Sequence, residues 1–421
     1  MMVGSVTKSM TTMLMATLVG DGLMDWDTPV VDVLPTFALA DPELTQEITV
    51  RNLVCACTGV PRRDFELLLN YDDLSAEDIV ESLATLELFT EFGDAFQYSN
   101  QMVAAGGYAA AAVAGAEYGS LYEGYEEAIE ERVFEPIGMT STTLSLEEVE
   151  AGNNYGTPHG LDLEFQYYPV SLQLERFLTP ISPAGAAWSN VLDLGRYLIT
   201  ELDQGIAPSG PRVVSAENLK VTWEPQVPIS ADIAYGPGWM VDEYKGLPHI
   251  WHDGSTVGFT ANLAFLPDHD LGISVLSNAR GSAGFTQAVR FRLFELVFGL
   301  ESEFEEQAAF GWKAAEDTIA ELAASLADID QAAVTPYLGR YTNDALGEII
   351  IELEDGKLIM DVGEFRAEVR EKAGDDEKVT DYILASSMAL SFPLQFRITD
   401  EGDPFILFGV GVIEYTFQKV K

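Results

Sequence analysis

The chain has 421 residues, 47% of them hydrophobic, enough to bury a sizeable core and more than one domain usually holds. Its 68 acidic residues outnumber 23 basic ones, a formal charge of −45, which argues against nucleic acid and anionic membrane as partners because both would be repelled. That charge suits a chain kept soluble at high ionic strength, or simply a well-solvated acidic surface.

The first predicted element is a helix opening at Gly4-Ser5-Val6-Thr7-Lys8-Ser9. Met10, Met13, Leu14, Met15, Leu18 and Val19 make it apolar nearly all round, as in helices at the middle of a domain. Its apolar stretch is too short to span a bilayer. Ser5 and Lys8 stand three apart, so hydroxyl and ammonium share one face of the helix. The helix start supplies unpaired N–H groups and partial positive charge, which disfavour a protonated Lys8 and favour an oxyanion beside Ser5. Burial lowers the pKa of a lysine further. The chemistry that suits such a pair is acyl transfer. A bare Ser-x-x-Lys also reads as a surface helix capped by its serine, and the apolar continuation argues against that.

A loop region runs from Pro29 to Pro42, followed by Ile48-Thr49-Val50-Arg51-Asn52-Leu53 and Thr58-Gly59-Val60-Pro61. Cys55 and Cys57 are two apart, a spacing poorly suited to a disulfide, and no third sulfur offers a metal site. They are expected to pack as small apolar residues. A Ser-Ala-Glu-Asp cap starts a helix from Ser75 to Leu88, and the Ala- and Gly-rich stretch Gln101 to Ala116 predicts a tightly packed one. Between them Phe96-Gln97-Tyr98-Ser99-Asn100-Gln101 carries Tyr-x-Asn. The tripeptide recurs at Tyr341-Thr342-Asn343, so alone it reads as a packing tyrosine.

Val191 to Leu202 is an amphipathic helix, and residues 230–280 turn to strand patterns. Gly258 to Leu266 and Gly272 to Ser277 flank the turn Pro267-Asp268-His269-Asp270. Trp251-His252-Asp253-Gly254-Ser255 places His-x-Gly on a strand, and the helix Phe285 to Phe298 closes this part. His249 and His269 read as structural; His159 lies in a loop expected to rim the cleft. From Leu300 a Glu- and Ala-rich helix or linker reaches Val334. Short alternating strands follow: Glu348 to Leu353, Lys357 to Val362, Phe365 to Arg370, Tyr382 to Ala385, Gln395 to Ile398, Phe405 to Val410 and Val412 to Phe417. The hairpin turn Asp355-Gly356 and the acidic turn Gly374-Asp375-Asp376-Glu377 punctuate them. They predict a small antiparallel barrel or half-barrel.

Ser-x-x-Lys, Tyr-x-Asn and His-x-Gly, in that order and at wide spacing, resemble the serine hydrolases of the penicillin-recognising fold. The resemblance is to the group of class C β-lactamases, D-alanyl-D-alanine carboxypeptidases and family VIII esterases. Thr58-Gly59-Val60-Pro61, Glu135-Pro136-Ile137-Gly138-Met139 and Pro183-Ala184-Gly185 match the connecting segments, so roughly residues 3–300 are covered. The strand-rich end, with Tyr337-Leu338-Gly339-Arg340-Tyr341, resembles the lipocalin-like domain appended to many of these hydrolases. The implied fold is α/β (α+β): an antiparallel sheet flanked by helices, an all-helical lobe, and a small antiparallel β-barrel. The implied division is a hydrolase domain over 1–300, a helical linker over 301–334 and a barrel over 335–421.

The resemblance implies that Ser5 attacks the substrate carbonyl, while Lys8 and Tyr98 move the proton, either being the base. Asn100 would bond Lys8 and the substrate, and the N–H groups of Ser5 and Ser255 would form the oxyanion hole. His252 would donate at the far wall, with Asp253 and Gly254 beside the substrate. No metal or cofactor is implied. Asp253 stands where carboxylate-binding relatives have threonine, and a carboxylate there would repel an acidic substrate. That favours small neutral esters, amides or peptides over β-lactams or D-alanyl-D-alanine, with a non-catalytic binding relative as the other alternative. In such relatives a helix and two strands precede Ser-x-x-Lys, where this chain has Met1-Met2-Val3. The expectation is a chain that extends upstream; without those strands the sheet would keep an unpaired edge and an uncovered apolar face. Location follows from the same point: exported or periplasmic if a signal peptide lies upstream, cytoplasmic otherwise. Homo-oligomerisation is left open.

Overall fold

The computed structural model describes residues 1–69, 71–372, 381–385, 392–410 and 413–420. The chain divides into two compact units that interleave in sequence. The first comprises residues 1–64, 74–157 and 178–305; the second comprises 65–73, 158–177 and 306–421. Two segments that a linear division at residue 300 leaves in the hydrolase domain therefore belong to the second unit.

In the first unit a six-stranded antiparallel sheet runs β1 (Val227–Pro228), β2 (Ala234–Gly236), β3 (Trp239–Tyr244), β4 (Leu247–Ser255), β5 (Thr260–Leu266) and β6 (Leu271–Ser277), each paired with the next. β5 is buried along its whole length, its polar Thr260 and Asn262 included. Among the described residues β6 pairs with β5 alone, and all seven of its residues are half-buried. Helix α1 (Thr7–Gly20) is buried from Thr7 to Leu18, as an all-round apolar helix must be. It continues directly from a single 3₁₀ turn, Gly4–Val6, which carries Ser5.

The helices that frame α1 sit close to their sequence expectations. α2 (Val50–Val54) starts at a capping box in which Thr49 and Asn52 exchange hydrogen bonds. α3 (Asn100–Ala114) packs on α1 and α2, and its alanines and glycines permit that close approach. α4 (Val191–Leu202) is capped by Asn190, whose side chain accepts from the N–H groups of Leu192 and Asp193. α5 (Ala283–Phe298) lies on the far side of the sheet, where Phe291 and Phe294 join Leu247 and Leu266 in one apolar cluster. Phe285, Val289, Leu296 and Val297 of the same helix are exposed.

One expectation is corrected after α2. Cys55 and Cys57 form a disulfide, with Cα atoms 5.2 Å apart. Ala56 between them takes the left-handed conformation, φ 53°, which folds the backbone back far enough to bring two such close cysteines into bonding range. The carbonyl of Ala56 then accepts from Gln97 N (2.7 Å) and that of Cys57 from Gly93 N (2.8 Å), tying down the segment that leads to Tyr98.

The second unit is built on eight antiparallel strands in consecutive order: β7 (Gly339–Asn343), β8 (Gly347–Glu354), β9 (Lys357–Asp361), β10 (Arg366–Lys372), β11 (Asp381–Leu384), β12 (Pro393–Ile398), β13 (Pro404–Val410) and β14 (Ile413–Lys419). Tyr341 and Thr342 of β7 pair with Lys419 and Gln418 of β14, closing the barrel. Ile349, Ile351, Leu358, Met360, Ala367, Val369, Phe408 and Phe417 are buried at alternate positions, filling a barrel of this strand number with side chains. Phe65, from the first inserted segment, lies edge-on to Phe392 (4.8 Å), Phe408 (5.2 Å) and Tyr415 (6.3 Å). His159 belongs to this unit, in a hairpin of His159–Leu161 with Tyr167–Pro169. The Glu-rich stretch forms a helix over Phe304–Ala324 with no residue of it buried. The acidic turn Gly374-Asp375-Asp376-Glu377 and the strand start at Val412 lie outside the described residues.

Candidate active site

The 3₁₀ turn delivers Ser5 half-buried, one turn ahead of a lysine with no exposed surface. Lys8 Nζ lies 3.1 Å from Ser5 Oγ, 2.9 Å from Asn100 Oδ1 and 2.6 Å from the carbonyl of Ala184. Three acceptors match the three N–H bonds of an ammonium. A neutral amine keeps the last two as acceptors and turns its lone pair to the Ser5 hydroxyl. Burial, and then the charge of Arg62, hold the pKa of Lys8 well below the usual lysine range; Asp64 opposes them.

Tyr98 hydrogen-bonds Ser5, and its phenol pKa is raised by burial. The Lys8 ammonium stands 4.8 Å from the Tyr98 ring centre. The structure therefore brings Ser5, Lys8, Tyr98 and Asn100 together. Asn100 opens α3 while Tyr98 precedes it, so the two face Lys8 from the start of one helix.

Strand β4 passes directly against the 3₁₀ turn. Gly254 has no alternative here: a Cβ would collide with the carbonyl oxygen of Val3 and come within 3.2 Å of Ser5 N. A Cβ on Gly4, which sits at φ 53°, would come within 2.8 Å of Ser255 N. These close approaches press the backbone of the Ser5 turn directly against that of Gly254 and Ser255.

His252 faces the same side, its ring centre 6.4 Å from that of Tyr98. Its Nδ1 lies 2.6 Å from the carbonyl of Asp253, which only an N–H can satisfy. Nε2 is then the acceptor, 3.3 Å from the Tyr235 hydroxyl. Burial, and then the charge of Lys8, push this imidazole down to about 3. His252 is thus neutral and engaged with Tyr235, which corrects its assignment as a donor into the cleft.

Asp253 is also corrected. Alternation along the strand turns it to the opposite face of the sheet, where it is bonded by Asn262 and by Gln287 Nε2 (2.6 Å) of α5. His249 and Trp251 share that face. His249 pairs with Asp242, Trp251 Nε1 donates to Asp242 Oδ2 (3.0 Å), and the Arg290 guanidinium lies 4.4 Å from the Trp251 ring centre. On that side the carboxylate is taken up by Asn262 and Gln287 rather than presented to the cleft.

Sequence reading missed four groups. Tyr235 accompanies His252, and the Ala184 carbonyl, within the recognised Pro-Ala-Gly segment, accepts from Lys8. Asp64 and Arg62 follow Pro61 directly. Asn100 Nδ2 donates to Asp64 Oδ1 (3.0 Å), Asp64 pairs with Arg62, and the Arg62 guanidinium stands 5.6 Å from the Tyr98 ring centre. The usable signal was two basic residues next to a recognised loop in a chain poor in them. Among the described residues no group of three or more His, Cys, Asp or Glu is placed to hold a metal ion. Nor is any helix long and apolar enough to cross a membrane.

Residues 1–297 match the family model described as Beta-lactamase. The chain belongs to the beta-lactamase family. A fungal relative, Unguisins hydrolase ungD' of Aspergillus campestris, is 29% identical over 308 residues, 70% of this chain and 55% of its own length. The chain thus spans about half of that protein. Penicillin-binding protein 4 of Amycolatopsis lactamdurans is 28% identical over 302 residues, 70% of this chain and 76% of that one. Among solved structures, the octameric penicillin-binding protein homologue from Pyrococcus abyssi has a TM-score of 0.60 at 18% identity, covering 99% of this chain and 88% of that one. This likeness supports an α/β fold followed by a barrel. Membership of the beta-lactamase family is what the match over residues 1–297 establishes.

Proposed function

We propose that this protein is a serine hydrolase that cleaves amide, peptide or ester bonds through an acyl-enzyme on Ser5. The observation that carries this is the 3.1 Å approach of Lys8 Nζ to Ser5 Oγ at a fully buried lysine whose pKa is depressed. The opposite shifts of Lys8 and Tyr98 divide the labour. A lysine whose pKa is pushed down sheds its own proton more readily and takes the Ser5 proton as Ser5 Oγ bonds to the carbonyl carbon. A tyrosine pushed up stays a phenol and protonates the departing nitrogen or oxygen. The Ser5 and Ser255 N–H groups receive the negative charge that develops on the carbonyl oxygen. Water then bonds to the acyl carbon and gives its proton to the Tyr98 oxygen, and the acyl–Ser5 bond breaks as Lys8 returns its proton to Ser5 Oγ.

Hydrolysis is supported by the relative named an unguisins hydrolase. A second reading, toward acidic substrates such as β-lactams or D-alanyl-D-alanine ends, is favoured by Asp253 lying on the far face of β4 and by the relative named a penicillin-binding protein. Oligomerisation forms part of the proposal, checked by light scattering. The test of the whole is intact-mass analysis after a fluorophosphonate, together with p-nitrophenyl ester turnover, for wild type and Ser5→Ala. An adduct and turnover that both vanish in Ser5→Ala are expected. A folded wild type that takes no adduct overturns the proposal. Peptide amides, D-alanine-terminated peptides and a chromogenic cephalosporin then separate the two substrate readings.

A further inference from the structure

The loop after Pro61 carries two charges that the three motifs do not use. Asp64 receives the Asn100 Nδ2 bond on one carboxylate oxygen and Arg62 on the other. With Nδ2 committed to Asp64, the Asn100 carbonyl is the atom left to face Lys8, at 2.9 Å. Turned over, that amide would set its oxygen against a carboxylate and withdraw the acceptor that Lys8 donates to. Arg62, held by the other oxygen, lies against the Tyr98 ring, 5.6 Å from its centre, while Lys8 lies 4.8 Å from the same centre.

We propose that Asp64 is a positioning residue of the active site, orienting Asn100 toward Lys8 and forming with Arg62 an opposed charge pair that sets when Lys8 can take the Ser5 proton. The inference rests on the serine-hydrolase reading above. The groups facing Lys8 come from every element around it: Ser5 from the preceding turn, Tyr98 and Asn100 at the start of α3, the Ala184 carbonyl, neutral His252 on β4, and the loop pair Arg62 and Asp64. Of the pair, Arg62 opposes a proton on Lys8 and Asp64 supports one. Their removal must therefore act in opposite directions.

The experiment compares wild type, Asp64→Asn, Arg62→Gln and the double variant. It reads the pH profile of ester kcat/KM and, independently of activity, the titration of Lys8 by NMR of ¹³C,¹⁵N-labelled lysine. Asp64→Asn is expected to move the Lys8 titration and the acid limb to lower pH, and to cost roughly tenfold in kcat through the released Asn100. Arg62→Gln is expected to move both to higher pH, and the double variant to fall between. Titrations that stay in place, or move the same way in both single variants, overturn the inference. So does a uniform loss at every pH accompanied by a lowered melting temperature, which marks a merely structural role. A wild type without a Ser5 adduct would instead overturn the hydrolase reading, while the NMR titration still decides the charge pair.

Discussion

The two faces of strand β4 put histidine and glycine to different uses. On the face toward Ser5, His252 and Gly254 are shaped by the backbone: Gly254 by the carbonyl of Val3, His252 by a carbonyl on one nitrogen and Tyr235 on the other. On the opposite face His249, Trp251 and Asp253 form a network of side chains with Asp242, Asn262, Gln287 and Arg290. The first face has no slack, because backbone sits on backbone. The second is held by bonds from side chain to side chain among buried and half-buried residues. Residues adjacent in sequence thus serve the chemistry and the architecture separately, and substitutions on the two faces should fail differently.

The largest expected effect is from Gly254→Ala. A methyl group there forces the Ser5 turn away from β4, at about 3 kcal/mol of stability. Acylation should fall roughly 100-fold as the oxyanion nitrogens separate. Thermal melting and the rate of fluorophosphonate adduct formation check this, and a variant acylating at the wild-type rate breaks the contrast between the faces. Asp253→Asn should do the reverse. Its loss leaves buried Arg290 short of a nearby counter-charge, for a destabilisation of about 1–2 kcal/mol. Its effect on the ratio of kcat/KM for free-acid and amidated forms of one peptide should be less than about twofold. A larger change in that ratio would return Asp253 to the cleft.

A pH-dependent effect concerns a third buried polar group, beneath α1. Glu201 on α4 accepts from Trp223 Nε1 (3.0 Å), next to Tyr197, whose hydroxyl lies 3.2 Å from Ser9 Oγ. Burial raises its carboxyl pKa to about 8. Because the folded value lies above the ordinary 4.5, the stability associated with the neutral acid is complete below that pH and declines as pH rises toward 8. Glu201→Gln keeps an acceptor for Trp223 and removes the titration. Its melting temperature should match wild type near pH 5 and exceed it increasingly up to pH 8. A constant difference across that range would show that Glu201 does not titrate there.

Much of the site was legible because its first contact is local. Ser5 and Lys8 meet through helical spacing alone, and the apolar residues from Met10 to Val19 required that the helix be buried. The order of Ser-x-x-Lys, Tyr-x-Asn and His-x-Gly supplied the family, and the strand pattern after Tyr337 supplied the barrel. The assignment of Asp253 failed for a reason the sequence also contained. Period two on a strand sends neighbours to opposite faces, and a residue next to His252 in the chain is not next to it in space. The disulfide was missed because spacing alone does not reveal the left-handed backbone at Ala56.

What the sequence determined by itself is therefore whatever depends on short repeats: a buried helix with a lysine behind its serine, strands that alternate, a meander that can close. Only the tertiary structure decided that Asp64 meets Asn100 across 36 positions, that Ala184 supplies a carbonyl to Lys8 across 176, and that the Ser5 turn rests on Gly254. Periodicity is set by covalent geometry and acts between near neighbours. Meetings across the chain depend on how every intervening element packs, and no local pattern carries that sum.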